Sequence, residues 1–258
     1  MADALFSLEG RVALVTGGSR GIGRMIAKGF IDRGARVYIT SRKAEACAAT
    51  ADALGPACIP LPQDLSTLAG IDRLLEDLRA AEPCLDILVN NAGAVWGASF
   101  EQFPESGWDK VLDLNLKSPF FLVKKLLPML QAASSSERPA KVINIASIDG
   151  MTLPPNETYS YQAAKSALIF VTRSLAARLA RDQIIVNAIA PGPFVSEMNR
   201  VARDNCEALA QQVPLGRIGC DDDMAAAAIY LASRAGDFVV GATLPVDGGV
   251  ALATTRTF

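Results

Sequence analysis

The stretch VALVTGGSRGIG, Val12 to Gly23, joins a short apolar run to a glycine-rich turn, and a helical pattern begins near Ile22. Glycines 17, 21 and 23 let a backbone turn tightly, approach a diphosphate closely and pack a helix on the preceding strand. The first N–H groups of that helix lack intrahelical partners and would face an anion. Strand, glycine turn and helix in this order read as a phosphate-binding turn, a stronger signal than glycines alone.

Outward from this turn, short β-branched runs alternate with longer helical stretches along the whole chain. Strands are expected at Val12 to Thr16, Ala35 to Thr40, Ala57 to Pro60, Ile87 to Asn90, Val142 to Ala146, Ile185 to Ala190 and Thr243 to Val246. The alternation specifies an α/β fold, a single Rossmann-like doubly wound parallel sheet with helices on both faces. With 258 residues, half of them hydrophobic and 20% charged, one domain over 1–258 is expected. Its cofactor half runs to about residue 140 and its catalytic and substrate half from about 141 onward. The segment QAASSSERP, Gln131 to Pro139, reads as a solvated loop, because the strand pattern resumes directly after it.

Composition excludes several chemistries. Net charge is −2, and the 25 basic residues are scattered, so no nucleic-acid partner is expected. No apolar run is long enough to cross a bilayer and MADALFSLEG has no basic leader, so the reading is no membrane and a cytoplasmic protein. Five cysteines without a C-x-x-C pair suit free thiols. The chain has no histidine, which removes Ser-His-Asp and Cys-His systems and imidazole zinc sites, and no metal is expected. Proton chemistry near pH 7 is left to carboxylate, Lys, Tyr or Cys.

The second expected strand ends VYITSRK. A dinucleotide fold selecting NAD places an acid near this tip to meet the ribose 2′-hydroxyl. Here Thr40 is neutral and Arg42 follows, with Arg20 available on the glycine turn, so two guanidinium forks point to a 2′-phosphate and to NADP(H). The alternative is two solvated surface arginines. Further along, Tyr161-Gln-Ala-Ala-Lys165 puts a phenol and an ammonium on one helical face. Lowering a phenol from a pKa near 10 to neutrality takes roughly 4 kcal/mol, which a partly desolvated ammonium and a positively charged nicotinamide together supply in principle.

Trp108 to Leu130 reads as one helix with two apolar stripes: Leu116, Phe120, Val123, Leu127 and Leu130, then Phe121, Leu122, Leu126 and Met129. One stripe covers the sheet, and the other reads as a subunit interface or as deeper core. Pro119 should bend this helix and leave the Asn115 carbonyl without its helical donor.

The combination resembles the short-chain dehydrogenase/reductase family over nearly the whole chain. The matching motifs are TGGSRGIG, Asp64-Leu65, NNAG at Asn90 to Gly93, Asn115, Ser147, YQAAK, PGPFVS at Pro191 to Ser196 and DGG at Asp247 to Gly249, all in family order. The resemblance implies that Asn115, Ser147, Tyr161 and Lys165 are catalytic. Ser147 would hold the substrate oxygen, Tyr161 move the proton, and Lys165 lower the phenol pKa and hold the ribose. The Asn115 carbonyl would bind a relay water. It further implies that Gly17, Ser19, Arg20, Gly21, Ile22, Gly23, Arg42, Asp64, Leu65, Asn91, Gly93, Phe194 and Ser196 contact the cofactor. Two structural alternatives stay open: Ser147 capping a turn and Asp64 capping the following helix. Ser147 and Tyr161 are 14 residues apart where many members have 13, so the intervening loop is expected to sit differently.

The expected activity is NADPH-dependent interconversion of a ketone and a secondary alcohol, on a bulky or hydrophobic ketone, by a homo-oligomer, tetramer or dimer. The apolar lining is expected from Phe194, Val195, Met198 and Val201 in the lid at 193–214. A 3-oxoacyl thioester (β-ketoacyl) substrate is the alternative, since the motifs resemble β-ketoacyl reductases related to rhamnolipid synthesis. QAASSSE lacks the basic residues with which chain-elongating relatives dock an acidic carrier. A non-catalytic dinucleotide sensor is the alternative of another class.

Overall fold

The computed structural model describes residues 4–195 and 205–253. Seven strands, β1 (Val12–Thr16), β2 (Arg36–Thr40), β3 (Cys58–Pro60), β4 (Ile87–Asn90), β5 (Ala140–Ile145), β6 (Ile184–Pro191) and β7 (Thr243–Val246), form one sheet. Its order is β3-β2-β1-β4-β5-β6-β7 and every pairing is parallel. Strands Val12–Thr16, Ile87–Asn90 and Thr243–Val246 fall where their apolar runs place them, β2 and β3 start one residue later than expected, β5 starts earlier and ends one residue short, and β6 is one residue longer at each end. The helices are α1 (Gly21–Asp32), α2 (Ala44–Leu54), α3 (Leu68–Ala81), α4 (Glu105–Leu112), α5 (Ser118–Ala133), α6 (Tyr159–Leu179), α7 (Cys206–Ala210) and α8 (Asp221–Ala232).

Two cores cover the two sheet faces. Met25, Ile26 and Phe30 of α1, Cys47 and Ala51 of α2 and Met224 and Ile229 of α8 pack on one. Ile71, Leu74 and Leu78 of α3, Leu122 and Leu126 of α5 and Leu179 of α6 pack on the other. The strand order reverses between β1 and β4, and their carboxyl ends, Thr16 and Asn90, open a crevice there.

The continuous helix expected over Trp108 to Leu130 is not formed. Asp113–Lys117 is a π-turn between α4 and α5, with the Ser118 N–H reaching back five residues to the Asp113 carbonyl. Pro119, at the start of α5, has no N–H for Asn115, so the wider turn takes up the irregularity that proline imposes. Neither expected stripe is buried whole: the buried face takes Val123 and Leu130 from the first and Leu122, Leu126 and Met129 from the second. Phe120 is exposed, and Leu116, Phe121 and Leu127 are partly buried. No helix among the described residues is long and apolar enough to cross a membrane.

At the opposite end of the sheet, buried Asp86 accepts from the Arg11 guanidinium at 3.1 Å and the Val12 N–H at 2.9 Å, and Arg138 lies at 3.2 Å. Lys141, almost fully buried, donates to Asp237 at 2.6 Å. Removing one partner of a buried pair strands a charge, at about 3–5 kcal/mol. Asp86→Ala is therefore expected to lower the unfolding free energy by about that amount, read as a lower denaturant midpoint, with cofactor affinity unchanged in the folded fraction.

Candidate active site

The glycine turn closes as its sequence requires. Gly17 and Gly21 take positive φ of 65° and 50°. A Cβ on Gly23 would stand 2.4 Å from the Gly17 carbonyl and 2.5 Å from Asn91 Nδ2, so no other residue fits. Asn91 Nδ2 donates to the Thr16 carbonyl at 2.8 Å and to the Gly17 carbonyl at 3.2 Å. Thr16 Oγ1 accepts from the Asn91 and Ala92 N–H groups at 2.9 Å each. The end of β4 is thus fastened to the end of β1. The N-cap of α1 is Arg20, whose side chain caps nothing, so no side-chain acceptor competes for the first N–H groups. This cradle fits a dinucleotide diphosphate.

At the β2 tip, Thr40 is fully buried, and its hydroxyl has no partner among the described residues. The first positions open beyond it are Ser41 and exposed Arg42, while Arg20 is exposed and Ser19 and Ile22 are partly buried on the turn. Asp64 does not cap α3. Thr67 does, accepting from the Gly70 N–H at 3.0 Å. Asp64 Oδ1 accepts from the Ser66 N–H and hydroxyl at 3.0 and 2.8 Å. Burial pushes Asp64 up, but the Ser66 hydrogen bonds and the positive charge of Arg42 leave it below the usual carboxylate range. Leu65 is buried in the core on that face, so its side chain is structural.

Asn115 has a role the sequence did not reveal. Its side-chain amide is committed to the loop after β4: Oδ1 accepts from the Ala94 N–H at 2.9 Å and Nδ2 donates to the Ala94 carbonyl at 2.6 Å. A Cβ on Gly93 would lie 2.6 Å from that Oδ1. Asn115 therefore holds the β4 loop against the π-turn.

Tyr161 and Lys165 lie one turn apart on α6, and Ser147 stands directly beyond β5. Ser147 Oγ accepts from the Asp149 N–H at 3.1 Å, so it caps a single 3₁₀ turn, and its hydroxyl acts on the Tyr161 phenol by opposing the rise in its pKa. Gly150 of that turn packs on α6, where a Cβ would meet the Lys165 backbone at 2.7 Å. The turn-cap reading of Ser147 is met by this hydroxyl.

Lys165 is almost fully buried beside Tyr161. Its Nζ donates to the Ile145 carbonyl at 2.6 Å and stands 5.5 Å from the Tyr161 ring centre. Burial pushes Tyr161 up to about 12, with the Asp149 charge adding to the rise and the Ser147 hydrogen bond opposing it. Burial also pulls the Lys165 ammonium down to about 8. The Asp149 carboxyl, raised by burial, takes no hydrogen bond from the described residues.

The lid reading needs correction. The Phe194 ring is buried in the core against Gly219, whose Cβ would stand 2.4 Å from it, so its side chain lines no pocket. Val195 is exposed. Ser196, Met198 and Val201 lie outside the described residues.

The family model described as enoyl-(acyl carrier protein) reductase matches residues 17–251. The rhamnolipids biosynthesis 3-oxoacyl-(acyl-carrier-protein) reductase of Pseudomonas aeruginosa is 49% identical over 249 residues, 95% of this chain and 97% of that protein. Among solved structures, the Pseudomonas aeruginosa RhlG/NADP active-site complex superposes with a TM-score of 0.93 at 48% identity, covering 97% of this chain and all of the other. A gluconate 5-dehydrogenase from Burkholderia cenocepacia J2315 in complex with NADP and tartrate gives a TM-score of 0.89 at 35% identity, over 97% and 99% of the two chains.

Tyr161→Phe deletes one hydroxyl and leaves the ring and Lys165 in place. Turnover is expected to fall by at least ~10²-fold, with the melting temperature and cofactor affinity nearly unchanged. With the phenol at about 12, its proton is in place for ketone reduction throughout the neutral range. The reverse oxidation needs the phenolate and should climb with pH between 7 and 10, a rise that Tyr161→Phe abolishes; steady-state rates in both directions measure this. At the β2 tip, buried Thr40 makes Ser41 the better site for an acid. Ser41→Asp with Arg42→Leu is expected to invert the NADPH-to-NADH ratio of kcat/KM.

Proposed function

The chain belongs to the short-chain dehydrogenase/reductase family, and from this we propose that it is an NADPH-dependent 3-oxoacyl-thioester reductase. Bound in the crevice between β1 and β4, NADPH supplies the hydride. Ser147 holds the substrate oxygen and Tyr161 gives it the proton. Lys165 holds the nicotinamide ribose, and the Asn115 carbonyl, denied its helical donor by Pro119, holds a water behind the lysine. Gly17, Gly21, Ile22 and Gly23, with Asn91 and Gly93, shape the diphosphate cradle, Asp64 serves the adenine, and Ser19, Arg20 and Arg42 take the 2′-phosphate. Phe194, by its backbone, and Ser196 are proposed for the nicotinamide amide.

The observation that carries the substrate reading is the apolar rim on the two loops flanking the catalytic residues. The Ala98 N–H donates to the Glu157 carbonyl at 3.3 Å and the Phe100 N–H to its carboxylate at 3.1 Å, so the loops after β4 and β5 are stitched together. They expose Val95, Phe100, Met151 and Leu153. Such a rim suits an acyl chain better than a polyhydroxylated sugar acid. Asp149, its carboxyl without a donor among the described residues, repels an anionic substrate at the same place. The similarity to the Pseudomonas reductase favours the thioester over the general bulky ketone expected from sequence. The presence of Ser147, Tyr161, Lys165 and Asn115 together disfavours a non-catalytic sensor.

We also propose that the chain pairs with copies of itself through α4, α5 and α6, where Leu112, Leu116, Phe120 and Val171 line an apolar hollow and Phe170 is 67% exposed. Light scattering is expected to give two or four times 27.2 kDa, and a monomer mass at micromolar concentration would refute this. In a panel of 3-oxoacyl thioesters, bulky aromatic ketones and keto-sugar acids, kcat/KM should be highest for the thioesters. Asp149→Asn should raise activity on the keto acids alone. A preference for the sugar acids in the unmodified protein would overturn the substrate reading.

A further inference from the structure

Thr50 stands on α2, 9% exposed, and its hydroxyl donates to the Ser19 carbonyl at 2.8 Å. A helical threonine ordinarily gives its hydroxyl to a carbonyl one turn back on its own helix, as Thr172 does to Leu168. Thr50 instead reaches 31 residues back, to the glycine turn. A second tie lies beside it, with the Gly18 N–H donating to the Thr40 carbonyl at 3.2 Å. The segment Gly18–Ser19 is thus fastened at two points to the stretch that leaves β2 and enters α2. Arg20 follows the first of these segments directly, and Arg42 lies within the second.

We propose that Thr50 is a positioning residue for the cofactor's 2′-phosphate: by fixing Ser19 against α2 it sets the spacing of Arg20 and Arg42. The proposal rests on the reading of those two arginines as ligands of the 2′-phosphate. Two guanidinium forks gain from a shared phosphate only if their backbones are held at one separation; otherwise each long side chain loses conformational freedom for a single contact. The diphosphate cradle is held separately, through Asn91, Thr16 and Gly23. Loosening Ser19 therefore acts on the 2′-phosphate and spares the rest of the cofactor. Thr50 acts through the Ser19 carbonyl and touches no cofactor atom itself.

The test uses Thr50→Val, which keeps the branched shape and removes the donor, and Thr50→Ser, which keeps the donor. NADPH and NADH are titrated by fluorescence, and adenosine 2′,5′-bisphosphate and AMP by calorimetry. Thr50→Val is expected to weaken NADPH and the bisphosphate by about 3- to 10-fold, the size of one hydrogen bond lost, leaving NADH and AMP within about twofold and kcat with NADPH unchanged. Thr50→Ser should bind all four as the unmodified protein does. Equal weakening of phosphorylated and unphosphorylated ligands, or no weakening in a folded Thr50→Val protein, overturns the proposal. If Thr50→Val does not fold, Thr50→Ala takes its place with the same two outcomes. Arg42→Leu separates the premises. If Arg42→Leu retains NADPH affinity, the arginine reading itself falls; if it loses affinity while Thr50→Val does not, only the role of Thr50 falls.

Discussion

The close approach of α1 to the end of β1 is the constraint on which the site depends. The Gly17 carbonyl and Asn91 Nδ2 occupy the space a side chain at position 23 would need. A methyl group there would drive the helix off the sheet or break the Asn91 clamp, and either would widen the crevice between β1 and β4. The cleft is therefore set by backbone packing and by an amide that bridges two strand ends. Those bonds lie in the protein itself, so the cradle is formed before any ligand arrives.

Asn115 extends the same economy to the other side of the crevice. Its amide is committed to Ala94, so whatever its carbonyl does is done from a residue that cannot swing. The π-turn that carries it arises where Pro119 withholds a donor from the Asn115 carbonyl. A local defect in one helix is thereby converted into a fixed polar group beside α6.

The sheet and the glycine turn were legible in the sequence because buried parallel strands are compact apolar runs and because glycine at 17, 21 and 23 has a steric cause. Ser147, Tyr161 and Lys165 were legible as a motif, and the fold does bring them together. What was missed depends on partners far away in the chain. Nothing local announces that Asn115 meets Ala94, that Thr50 meets Ser19, or that the Phe194 ring turns inward onto Gly219. The π-turn was half legible: Pro119 foretold a bend, but not that the helix would widen to absorb it. The surroundings of the phenol were only partly legible, because spacing on a helix gives proximity and not direction. Lys165 points its ammonium at a strand carbonyl, and the dominant influence on Tyr161 is burial.

The buried charges around Asp86, Arg11, Lys141 and Asp237 sit at the amino ends of the strands, and the loops that expose Val95, Phe100, Met151 and Leu153 follow the carboxyl ends. Sites this far apart with no shared partners contribute to stability nearly additively. The foundation and the loops can then drift independently: a lineage can exchange Met151, Leu153 or Asp149 without renegotiating what keeps the sheet folded. One polar foundation at the amino ends thus leaves the loops free to diversify, and a 3-oxoacyl-(acyl-carrier-protein) reductase and a gluconate 5-dehydrogenase both share this backbone closely.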